Sequence, residues 1–241
     1  MISVVRHVVT TISDAALEAV CLFFDPFVQA YRLVFGRSEL SRSALGQLTK
    51  RVIDLVGSVL LLLIFLVPML IIAVLVRLSS DGPVLFRQGR MAPDGRTIRV
   101  YKFRTMTQPA TDDIGASESP FASSDQRVTR VGRSLRRTSL DELPQLFNVL
   151  VGDMSLVGPS PRDVKRTWKS KNADIVICEN IKAGVTGWAR VNGIRDDNYG
   201  RTRIQYDSHY VQNWSIWIDL RILVRSAFQA ARNLVVATTP R

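Results

Sequence analysis

Residues 55–76 carry no charge. The run Leu-Val-Gly-Ser-Val-Leu-Leu-Leu-Leu-Ile-Phe-Leu-Val-Pro-Met-Leu-Ile-Ile-Ala-Val-Leu-Val is 22 residues long. As a helix it reaches about 33 Å, enough to cover a bilayer core. Lys50 and Arg51 precede it and Arg77 follows it. A crossing segment carries its Lys and Arg mainly on one side, so basic flanks at both ends argue against a plain crossing. Pro68, inside the run, removes a backbone donor. These features predict a re-entrant membrane helix over 50–80, kinked at Pro68 and returning to the face it entered, with Asp54 near the interface. A single span is the competing arrangement.

The chain has 241 residues, a formal net charge of +11 and a pI near 10.3. It is long enough to bury a core, and its charge implies an anionic partner. Nucleic acid fits poorly: no recognition-helix signature or aromatic-basic interleaving is present, and a soluble binder does not carry so long an apolar run. Membrane lipids and phosphorylated substrates fit better. Cys21 and Cys178 stand alone, with no CxxC and no Cys/His cluster, which speaks against zinc and against a disulfide framework. Asp14 and Glu18 interrupt the apolar N-terminus, so no cleavable signal peptide is expected.

The fold class read from these patterns is α+β, predominantly helical: a membrane-associated monotopic protein with a re-entrant helix and interfacial amphipathic helices. Residues 1–49 form an N-terminal extension whose apolar residues from Leu17 to Phe35 recur at helical spacing. Residues 81–241 are expected to form the one large domain outside the membrane. Within it, Val84–Gln88 and Thr97–Phe103 predict two strands joined through Pro93-Asp94-Gly95. Residues 107–125 read as a surface loop, as do the segments 151–162 and 184–193. From Ser215 onward a helix is expected, with Arg221, Arg225 and Arg232 on one face. It either lies on a membrane surface or covers the domain core.

The chemistry centres on residues 127–150. Arg127, Arg130, Arg133 and Arg136 recur every three residues, and Asp141-Glu142 follows at once. A helix should begin between Ser139 and Asp141: Ser139 and Glu142 have capping-box spacing, and Pro144 suits a first turn. Adjacent carboxylates divide naturally into a nucleophile and a ligand for a hard cation such as Mg²⁺. Nearby arginines keep them ionised and bind phosphate. Taken alone, an acidic pair in a first turn is more often simple capping.

The surrounding text gives the pair its meaning. Lys50-Arg51, Asp54, the Pro68 break, Gly82-Pro83-Val84-Leu85-Phe86-Arg87-Gln88, Tyr101-Lys102-Phe103-Arg104-Thr105-Met106, Ser139 to Leu150, Gly152 to Pro159 and Thr186-Gly187-Trp188 occur in order. Over about residues 50–230 the chain resembles the bacterial sugar transferase family, the monotopic polyprenyl-phosphate phosphoglycosyl transferases that initiate exopolysaccharide and O-antigen assembly. The resemblance implies transfer of sugar 1-phosphate from a UDP-sugar to undecaprenyl phosphate, with release of UMP, on the cytoplasmic face of the bacterial inner membrane. It implies Asp141 as the nucleophile that carries the phosphosugar and Glu142 as a Mg²⁺ ligand. Arg133, Arg136, Lys102 and Arg104 would be phosphate-binding residues. Several positions depart from the family pattern, the stretch Gly193-Ile194-Arg195-Asp196-Asp197 among them. Ser160 stands where arginine is usual, so that Arg162 would substitute; Ala183 replaces a proline; and Arg190 replaces a glutamine. The Ser160 departure motivates a second reading, a non-catalytic membrane scaffold of a polysaccharide assembly complex. Other assembly proteins, or a second copy of the chain, would be further partners.

Overall fold

The computed structural model of the protein describes residues 44–107, 127–163, 181–194 and 201–238. The Leu17–Phe35 stripe, both cysteines and almost all of the 107–125 loop lie outside the described residues.

The apolar run forms helix α1, Ala44–Ser79, with 36 residues, about 54 Å of helix. It begins six positions before the expected boundary and passes through Pro68 without interruption, so the expected kink does not break it. Among the described residues it is the one helix long and apolar enough to cross a membrane. Its two faces differ along its whole length. Asp54, Ser58, Met69, Ile72 and Val76 are buried, at intervals that place them on one side. Val52, Val56, Leu60, Leu63, Val67, Ile71, Leu75 and Leu78 are exposed on the other. An apolar face of that extent is unstable in water.

Both ends of α1 are held by the same body. At its start, Lys50 Nζ lies 2.6 Å from Asp219 Oδ2. Arg51 donates to the Val149 and Leu150 carbonyls at 2.6 and 2.9 Å. Asp54 Oδ1 accepts from the Leu156 amide and the Ser155 hydroxyl. The basic residues that precede the apolar run are therefore committed to partners within the protein. At the other end, Met69, Ile72 and Val76 pack with Phe103 and Leu135, and Arg104 Nη2 donates to the Ser80 carbonyl at 2.6 Å.

Strands β1 (Leu85–Met91) and β2 (Thr97–Phe103) form the expected hairpin, β1 running three residues further than its pattern suggested. They pair antiparallel, Leu85 opposite Phe103 and Met91 opposite Thr97. Gly95, at φ 82°, makes the turn. The segments read as loops contain a second sheet. β3 (Met154–Val157) and β5 (Ala183–Thr186) pair in parallel, while β4 (Arg162–Asp163) joins the edge of β1. All four residues of β3 are buried. A strand covered on both faces shows no alternation, which is why sequence periodicity missed it. Gly184 is required here, because a Cβ would collide with the Gly158 backbone.

Helices α2 (Arg130–Thr138), α3 (Gln145–Val151), α4 (Trp188–Val191), α5 (Arg201–Gln212) and α6 (Ile216–Thr238) complete the unit. Val100, Leu146, Val149, Met154, Val157, Tyr210, Ile218 and Ile222 share its core. α6 is a core-covering helix. Ile218 and Ile222 are buried, and its basic face meets protein: Arg221 and Arg225 lie 5.8 and 5.6 Å from the Trp188 ring centre. Cation–π contact gives these two arginines of the stripe a partner within the protein.

Candidate active site

α2 is set against the segment that follows β2 by two local devices. Thr129 caps the helix, its hydroxyl accepting from the Gly132 amide at 2.8 Å. Gly132 itself packs on the Thr105 backbone, where a Cβ would clash. α2 ends at Ser139, whose φ of 59° is the only positive value for a non-glycine among the described residues. That left-handed residue redirects the chain into a single 3₁₀ turn, Leu140–Glu142, which carries both acids. Pro144 then opens α3.

The expected capping box does not form: Ser139 closes the preceding helix and makes no side-chain cap bond. The dyad therefore sits between two helices rather than in the first turn of one. Pro144, which lacks an N–H, suits the first turn of a new helix and places the restart after the acids.

Buried Asn148 fixes this turn relative to β2. Its Nδ2 donates to the Arg99 carbonyl at 2.7 Å and its Oδ1 accepts from the Tyr101 amide at 3.0 Å. The neighbouring strand residue Lys102 is thereby aligned with Glu142, Nζ to Oε1 at 3.3 Å. On the other carboxylate oxygen, Arg190 Nη2 donates to Oε2 at 2.5 Å, while its Nη1 donates to the Val185 carbonyl at 2.7 Å. Arg136 Nε donates to Thr105 Oγ1 at 2.8 Å.

Asp141 is partly buried, and its pKa is pushed up to about 6. Desolvation contributes most and the Glu142 charge next, opposed by Lys102 and Arg136. A carboxylate in this state is ionised at neutral pH yet more basic than an exposed aspartate, which suits a nucleophile.

Of the residues the sequence nominates, Lys102, Arg136, Asp141 and Glu142 are brought together here. Arg133 is exposed on α2. Arg104 is buried, with its Nη2 on the end of α1. Arg162 pairs with Met91 through β4, and its side chain lies outside the described residues. Sequence reasoning passed over two members of the site. Arg190 was visible only as a departure from the family pattern. Asn148 showed itself only as a polar residue within the apolar Leu146–Leu150 stretch. His209 stacks on Trp188, with ring centres 5.8 Å apart.

Among the described residues no three His, Cys, Asp or Glu side chains converge as a metal cage. A divalent cation would draw on the two carboxylates and on substrate oxygens, a donor set that fits Mg²⁺ bound with phosphates.

Comparison with known proteins agrees with the geometry. The bacterial sugar transferase profile matches residues 45–233. The chain is 40% identical over 197 residues to the UDP-glucose:undecaprenyl-phosphate glucose-1-phosphate transferase of Escherichia coli K12, covering 79% of this chain and 42% of that protein. It is 46% identical over 165 residues to the protein of the same name from Xanthomonas campestris, covering 66% of this chain and 34% of that one. The UDP-N-acetylgalactosamine-undecaprenyl-phosphate N-acetylgalactosaminephosphotransferase of Aeromonas hydrophila is 40% identical over 184 residues, covering 73% and 42%. The chain thus spans less than half the length of these curated relatives. With the Asp141-Glu142 turn inside the matched region and the profile spanning most of its length, the chain belongs to the bacterial sugar transferase family.

Proposed function

We propose that the protein transfers sugar 1-phosphate from a UDP-sugar to undecaprenyl phosphate and releases UMP, the first membrane step of exopolysaccharide or related glycan synthesis. The observation that carries this reading is Asp141, raised to about 6 beside Glu142 and faced by Lys102 and Arg136. Asp141 attacks the sugar-bearing phosphorus, and the bridging P–O bond breaks with its electrons leaving on UMP. A phosphate oxygen of undecaprenyl phosphate then attacks the same phosphorus and frees Asp141. Lys102 and Arg136 stabilise negative charge on the phosphoryl oxygens. Arg133 and Arg162 remain candidate phosphate ligands, while Arg104, which holds the Ser80 carbonyl, belongs to the end of α1. Glu142 would hold Mg²⁺, which neutralises diphosphate charge when bound.

α1 lies in one leaflet of the cytoplasmic membrane, re-entrant rather than crossing, with the catalytic unit on the cytoplasmic face. Support comes from the contacts at both ends of α1 with one polar unit and from its open apolar face. A tag on residues 1–49 is expected to be reachable only from the cytoplasm; labelling from outside would refute this placement.

The activity test is UMP release by detergent-solubilised protein with undecaprenyl phosphate, Mg²⁺, UDP-glucose, UDP-galactose and UDP-N-acetylgalactosamine. Release with at least one donor is expected, and Asp141→Asn should abolish it in a folded protein. Substantial turnover by that variant would refute the nucleophile. Silence of the folded wild type with all donors would favour the scaffold reading.

A further inference from the structure

We propose that Arg190 is the resting counter-ion of Glu142 and yields its place to a divalent cation, so that metal binding depends on the diphosphate arriving with it. The inference rests on Glu142 being a metal ligand. Both oxygens of that carboxylate are already engaged, Oε1 by Lys102 and Oε2 by Arg190. Each oxygen keeps a further lone pair, but a dication approaching Glu142 meets two positive groups already in place, and displacing one of them relieves that repulsion.

Arg190 is the one able to move. Lys102 stands on a paired strand, whereas Arg190 stands on the four-residue helix α4. The Arg190 side chain is 36% exposed against 24% for Lys102. The more exposed of the two cations is the one that water and a phosphate can reach, so Arg190 is the one a doubly charged ion displaces. The guanidinium does not leave the site when it lets go. Nη1 bonds the Val185 carbonyl at 2.7 Å, a backbone anchor that keeps Arg190 beside the dyad, and its planar donors suit phosphate oxygens.

The exchange balances charge. A metal ion arriving alone meets Lys102 and a displaced Arg190 with no new anion to receive them. A metal ion arriving with a diphosphate gives the displaced guanidinium a partner. Arg190 is thus a positioning residue for Glu142 in the free protein and a phosphate contact in the loaded one.

The test uses Mn²⁺ as an EPR-visible probe on the full chain in detergent, with and without UDP and after correction for the Mn–UDP complex free in solution. The expected results are weak Mn²⁺ binding by the wild type alone and tighter binding with UDP. Arg190→Gln should bind Mn²⁺ alone about fivefold more tightly than the wild type, while Arg190→Lys, which keeps the charge, should stay near it. Equal or weaker binding by Arg190→Gln overturns the proposal, as does a wild type insensitive to UDP. Glu142→Gln separates the two levels. If it weakens Mn²⁺ binding while Arg190→Gln has no effect, Glu142 is a ligand and Arg190 is not its counter-ion. If Glu142→Gln leaves Mn²⁺ binding unchanged, the ligand assignment fails and this proposal with it.

Discussion

Asp54 Oδ1 accepts the Leu156 amide at 2.9 Å, joining α1 to a strand 102 positions away in the chain. The same oxygen accepts the Ser155 hydroxyl at 3.0 Å, and Asp54, Ser155 and Leu156 are all buried. Asp54→Ala leaves the buried Leu156 amide without its acceptor, while the Ser155 hydroxyl keeps the Val157 carbonyl at 2.9 Å. The expected loss is about 2–3 kcal/mol, read as a lower unfolding midpoint in detergent. An unchanged midpoint would show that water or a neighbour replaces the carboxylate.

Asp141 links activity to pH. Turnover needs the ionised form, so kcat/KM for UMP release, which reports the free enzyme, should rise with pH and level off above about 6. Stability runs the other way. A carboxyl raised from 3.8 to about 6 contributes stability fully present below the lower value and lost as pH rises through the upper one. Asp141→Asn removes that loss. The variant should therefore gain in unfolding midpoint relative to wild type as pH goes from 4 to 7; parallel midpoints across that range would contradict the raised pKa.

Arg104 separates two roles. Its Nη2 holds the Ser80 carbonyl, and its Nε and Nη1 meet no partner among the described residues. Arg104→Ala should lower stability by about 1–3 kcal/mol through release of the end of α1, with KM for the UDP-sugar little altered. A large rise in KM at unchanged stability would instead assign it to substrate phosphate, as the family resemblance implies.

Gly132→Ala tests the approach of α2 to the Thr105 backbone just past β2. The added methyl meets the Thr105 backbone, which has no rotamer with which to yield. A cost of about 1–3 kcal/mol is expected, together with lower activity, because α2 leads directly into the turn bearing the acids. A stable, fully active variant would mean that the helix can shift without disturbing the dyad.

Some of this protein follows from sequence because the cause is local. A long uncharged run can only be a buried or lipid-facing helix, and α1 is one. Alternating residues on either side of Pro93-Asp94-Gly95 can pair with each other, and β1 and β2 do. Pro144 dictates that a helix restarts near the acids. The remainder was decided by groups distant in sequence. β3 is hidden because burial on both faces erases its alternation. Ser139 mimics an N-cap until the geometry of the chain shows it ending the helix before. Lys50, Arg51 and Asp54 look like interfacial charges until their partners at 149–156 and 219 are in place. Glu142 acquires its two cations from positions 40 and 48 residues away. Hydrogen bonds and ion pairs act only over a few ångströms, so which residues they join depends on how the helices and strands pack.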